Sequence, residues 1–70
     1  MGELVSNIRK LAAERSWDER EFKGRCFAAG LSMDTADDLW GGKTNITAST
    51  MQKVASVFGV NMAVIITEKE

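Results

Sequence analysis

Residues 19–40 read EREFKGRCFAAGLSMDTADDLW, and the fold turns on how this stretch is read. Two helical segments meet at Ala29, Gly30, Leu31 and Ser32. Gly30 tolerates the left-handed conformation that closes a helix. Ser32 is placed to cap the next helix by accepting a hydrogen bond from a backbone N–H in its first turn. Phe22, Cys26 and Ala29 fall on one face of the earlier segment, with Phe27 flanking it. Leu31, Ala36, Leu39 and Trp40 make the buried side of the later one, over 33–40. Asp34, Thr35, Asp37 and Asp38 then face outwards. The pair is a helix, a tight glycine-containing turn and a second helix whose free face is acidic.

The flanking residues supply elements to hold this pair. Upstream, Asp18 is a good N-cap, and Glu21 completes an acidic version of the capping box. Gly24 inside that helix is unfavourable by up to about 1 kcal/mol relative to Ala. Leu4, Val5, Ile8, Leu11 and Ala12 repeat at helical spacing and predict a first helix over 3–15, ended by Ser16. Trp17 reads as a core anchor between helices. Downstream, Gly41 and Gly42 end the third helix, and Thr47 or Ser49 caps a fourth over about 50–58. Ile46, Met51, Val54, Ala55 and Phe58 form its apolar face, and Gly59 stops it.

The tail reads differently. Residues 60–67 are rich in β-branched side chains and uncharged, which predicts a strand. A lone strand is not stable, and the chain offers no obvious second one. Pairing with the same strand of a second copy is therefore expected. It would bury Met62, Val64 and Ile66, or the alternate set Ala63 and Ile65. A short fifth helix followed by a frayed end is the competing reading. The division is thus a helical domain over 1–60 and a dimerisation tail over 61–70, with Met62, Val64, Ile65 and Ile66 at the dimer interface.

Composition narrows the chemistry. Seventy residues make one small domain, and 44% hydrophobic residues suffice for a core. No apolar run reaches the roughly 18 residues of a membrane span. The N-terminus carries charges where a signal peptide needs an apolar stretch, so a cytoplasmic protein is expected, without membrane partners. Cys26 is the sole cysteine and there is no histidine. No disulfide framework, metal site or nucleophile–base pair can be assembled, so neither a catalytic residue nor a cofactor is expected. The net charge of −1 gives no global steering towards an anion. Six of the nine basic side chains lie in residues 1–25, so an anionic partner would meet mainly the N-terminal half.

The order of helices, with the words GLSMDTADDLWGGKTN and STMQKVASVFGV, resembles the phage repressor/Cro type of helix-turn-helix domain. In that family a Gly–apolar–Ser turn opens the recognition helix, matching Gly30, Leu31 and Ser32. A Thr or Ser follows, matching Thr35. An apolar residue and a glycine-containing loop close it, matching Leu39, Gly41 and Gly42. Thr50, Met51, Ala55, Phe58, Gly59 and Val60 match the family's fourth helix. The resemblance spans roughly residues 4–60 and implies an all-α, four- to five-helix, lambda-repressor-like bundle, here with a short C-terminal β-strand. Antitoxin-like members carry a similar strand that pairs across a dimer.

What the resemblance implies about function is binding of double-stranded DNA by a transcriptional regulator, as a homodimer. Ser32, Met33, Asp34, Thr35, Asp37 and Asp38 occupy the positions that read bases; Arg20, Lys43, Thr44 and Asn45 occupy those that touch phosphate. Two departures stand out. The second helix is about one turn longer than usual, with Lys23-Gly24-Arg25 inserted. The base-reading positions carry three aspartates where Arg, Gln, Ser or Asn is common. Phosphates attract cations, so these aspartates oppose binding, although one Asp can accept from cytosine N4. The alternative is a protein-interaction module on the same scaffold, with the acidic third helix meeting a basic partner.

Overall fold

The computed structural model describes residues 2–69. In chain order they form strand β1 (Glu3–Ser6), helices α1 (Ile8–Glu14), α2 (Glu19–Ala28), α3 (Met33–Trp40) and α4 (Ala48–Phe58), a 3-10 turn (Met62–Val64) and strand β2 (Ile66–Lys69). Three of the four α-helices start at a side-chain cap. Asp18 accepts from the Glu21 N–H, Ser32 from Thr35 and Thr47 from Thr50. Of the two residues able to cap α4, Thr47 is the one that does.

Each helix end uses the same device. The N–H groups of Trp17, Leu31, Lys43 and Val60 donate back to Ala12, Cys26, Asp38 and Ala55, across a residue of positive φ. That residue is glycine at three of the ends, and Gly30 (φ 92°) opens the turn between α2 and α3. At the end of α1 it is Ser16, with φ 59°, a conformation unfavourable for a residue with a Cβ.

The core draws on every helix: Ile8, Leu11 and Ala12 from α1, Phe22 and Cys26 from α2, Ala36 and Leu39 from α3, Val54, Ala55 and Phe58 from α4, with Leu31 and Ile65. Phe22 lies between Trp40 and Phe58, with ring centroids 5.5 and 5.7 Å away, and Trp17 stacks on Phe58 at 5.2 Å. Trp17 thus serves as the anchor that its position suggests.

The two ends depart from expectation. Residues 3–6 are a strand rather than the first turn of α1, and they provide the second strand that the sequence pattern does not reveal. β1 and β2 pair antiparallel within one protomer, in the register Glu3↔Lys69, Leu4↔Glu68, Val5↔Thr67 and Ser6↔Ile66. Leu4 and Val5 fit helical spacing, but so short an apolar pair, with Val5 β-branched, suits a two-stranded ribbon equally well. The tail strand also starts later than expected. Asn61 accepts from the Ala63 N–H at 2.9 Å and nucleates the 3-10 turn, which swings Ile65 into the core. The helical and strand readings of the tail each describe part of it.

Candidate nucleic-acid interface

α3 lies on the surface of the bundle. Ala36 and Leu39 face the core, Thr35 is half-buried, and Met33, Asp34, Asp37 and Asp38 are exposed. Ser32 is occupied as the cap: its Oγ accepts from the Thr35 N–H at 3.2 Å and donates to Thr35 Oγ1 at 2.9 Å. The Thr35 hydroxyl proton therefore remains free to point outwards.

The negative charge of α3 is largely met from within the molecule. Lys23 of α2 pairs with Asp37 and also with Glu19. Asp37 first, and Glu19 second, hold the Lys23 ammonium above the usual lysine pKa of 10.5. Lys43, in the loop after α3, lies 3.5 Å from Asp38. Asp34 has no ion-pair partner among the described residues. Two of the three carboxylates thus carry a cation with them, and Asp34 alone presents an uncompensated charge.

The arginines are mostly committed to architecture. Arg9 donates to the Trp40 carbonyl at 2.8 Å, at the C-terminal end of α3, and its guanidinium lies 5.0 Å from the Trp40 ring centroid. Arg15 donates to the Phe58 carbonyl at 2.8 Å, at the end of α4. Both fasten helix C-termini, where a cation complements the exposed carbonyls. Arg25 bridges Glu21, at 2.8 Å, and the Trp17 ring, at 4.2 Å. Arg20, exposed in the first turn of α2, makes no ion pair among the described residues.

Six of the ten expected contact residues fall into two clusters rather than one, and Ser32, Asp34 and Asp37 lie outside both. Arg20 and Met33 border a groove of about 610 Å³ between α2 and α3, together with Lys23, Gly24 and Phe27. A Cβ on Gly24 would meet nothing within 4 Å, so the groove is open there. Thr35, Asp38, Lys43 and Asn45 border a smaller recess of about 140 Å³, closed by Ile46, Thr47 and Thr50. Thr44 is half-buried between them in sequence and lines neither.

Two contributors escape the sequence reading. Phe27 is 66% exposed beside Met33, itself 55% exposed. The helical wheel signals this, because Phe22 and Cys26 already occupy the core stripe. The Lys23–Asp37 pair leaves no local signal, since it joins two helices across a turn. Of the residues expected to dimerise, Ile65 lies inside the protomer core, Met62 and Ile66 pack partly against it, and Val64 is exposed. Cys26 is fully buried, and loss of solvation pushes its thiol up to about 11, so at neutral pH it is an un-ionised core side chain. No helix among the described residues is long and apolar enough to cross a membrane.

Comparison with known proteins agrees with this geometry. The family model of the Cro/C1-type helix-turn-helix DNA-binding domain matches residues 7–67, a span that contains all four α-helices. No curated protein and no solved structure matches the chain. The capped turn at Gly30–Ser32, the exposed α3 and a match over most of the length agree: the chain belongs to the Cro/C1-type helix-turn-helix DNA-binding family.

Proposed function

We propose that this protein is a sequence-specific transcriptional regulator that binds double-stranded DNA as a homodimer in the cytoplasm, with α3 in the major groove. The observation that carries this reading is the pairing of Asp37 with Lys23 and of Asp38 with Lys43. It removes most of the electrostatic objection to placing an acidic helix against phosphates. Arg20 at the start of α2 and Lys43, Thr44 and Asn45 after α3 flank the helix and supply the phosphate contacts. The protein carries no catalytic group or cofactor in this role.

The homodimer forms through the terminal ribbon. Among the described residues each strand of the two-stranded sheet has a partner on one side only, and Leu4 and Val64 are exposed beside it. Open strand edges pair readily with a second copy. Two copies would then meet half-sites about one helical turn apart. Ile65 serves the protomer core, and Met62, Val64 and Ile66 supply the contact.

Fluorescence anisotropy with a random duplex tests the reading. Affinity should fall steeply between about 50 and 200 mM salt and weaken in Lys43→Ala. No binding at the lower salt sinks it. Sedimentation at micromolar concentration tests the dimer, and a clean monomer removes that part. A second reading is supported by Phe27 and Met33, which stand exposed together next to the acidic helix. In that case the face takes a protein partner, and duplex DNA gives no signal at any salt.

A further inference from the structure

We propose that α3 reads its site through acceptor and methyl contacts: Asp34 accepts from the exocyclic amino group of cytosine or adenine, Met33 packs on a neighbouring thymine methyl, and the helix makes no contact to guanine. This rests on the reading of the chain as a sequence-specific DNA binder.

The inventory of outward groups leads to it. Recognition helices touch base edges mainly with their N-terminal residues, here Met33 and Asp34. Guanine offers the major groove only its N7 and O6 acceptors and is ordinarily read by Arg or Lys. No cation stands on α3: Lys23 and Lys43 pair with Asp37 and Asp38, Arg9 is bound to the Trp40 carbonyl at the far end of the helix, and Arg20 belongs to α2, where it serves phosphate in the proposed reading. An ionised carboxylate only accepts, so a guanine edge repels Asp34, whereas cytosine N4 and adenine N6 donate to it. Asp34 is also the one carboxylate of the helix without a cation among the described residues.

Next to it stands an apolar surface. Met33 is 55% and Phe27 66% exposed, and the bare backbone of Gly24 keeps the groove beside them open. The methyl of thymine is the one apolar group that base pairs present in the major groove. An unbranched, polarisable thioether at the first residue of α3 suits it.

Selection of a bound sequence from a random duplex library, with the intact chain at low salt, provides the probe. The enriched duplex is then remade with uracil for thymine or with 7-deazaguanine for guanine. Uracil at one position should weaken binding about three- to tenfold and have no such effect on Met33→Ala. 7-Deazaguanine should leave affinity within about twofold. Asp34→Asn should move the preferred base towards adenine, whose N6 and N7 suit an amide. Both substituted positions are exposed, so the variants keep the fold. A site indifferent to uracil throughout, or one that loses binding with 7-deazaguanine, overturns the inference while leaving the regulator intact. A library that yields no enriched sequence removes sequence-specific binding itself, and the inference falls with it.

Discussion

Asn7 and Val64 close the fold across 57 positions of sequence, the Asn7 Nδ2 donating to the Val64 carbonyl at 2.9 Å. The same amide reaches Thr67 Oγ1 at 3.2 Å, and the Asn7 backbone N–H donates to the Ile65 carbonyl at 2.8 Å. One residue thereby fixes the entry of α1 and the exit of the 3-10 turn. Asn7→Ala removes both side-chain bonds and should lower stability by about 1–2 kcal/mol. The melting temperature followed by circular dichroism should fall by roughly 5–10 °C. An unchanged melt would show that the ribbon alone holds the ends.

Ser16 closes α1 in a left-handed conformation that glycine occupies at the other three helix ends. Ser16→Gly should therefore stabilise the domain by about 1 kcal/mol, because the Cβ strain outweighs the greater freedom of glycine in the unfolded chain. Urea denaturation should show a higher midpoint with an unaltered slope.

Ile65 is fully buried within the protomer. Ile65→Ala should destabilise the domain by about 2–5 kcal/mol, through lost burial and the cavity left behind. The loss should persist on dilution. A deficit that vanishes at low protein concentration would instead assign Ile65 to contact between copies.

Lys23 decides how much negative charge α3 displays. Its ammonium lies between Asp37 and Glu19, both exposed, and ion pairs at a surface add little to stability. Lys23→Gln should nonetheless weaken duplex binding several-fold at low salt, because Asp37 is then uncompensated, whereas Asp37→Asn should strengthen it. Anisotropy titrations read both, and equal affinities would remove the charge-masking role.

Alkali should unfold the protein early. The Cys26 thiol titrates at about 11 when folded against an ordinary value of 9.0. A group raised on folding contributes in full below its unfolded pKa and loses that contribution as pH rises through the folded value. Stability should therefore drop by about 2–3 kcal/mol between pH 9 and 11. Lys23, raised above 10.5, loses its contribution in the same direction at still higher pH. In Cys26→Ala the decline below pH 10 should flatten, although the variant starts less stable. A wild-type curve flat to pH 11 would refute the assignment.

The helical body was legible because its signals are local. Asp18, Ser32 and Thr47 mark starts by side-chain caps, and Gly30, Gly42 and Gly59 mark ends by backbone freedom, all within a few residues of the boundary they set. The ribbon was not legible, because Leu4 and Val5 fit two periods and the strand that selects between them lies more than 60 positions away. The outward face of α3 was half legible. Its carboxylates are plain in the sequence, but the lysines that mask two of them become neighbours only once α2 and the Gly41–Thr44 loop are folded against it.

The Glu3↔Lys69 register has a topological consequence. Glu3 and Lys69 lie side by side although 66 positions of sequence separate them, so the two strands stand or fall as one unit. Deleting either strand strips the other of every ladder bond and exposes the seat of Ile65.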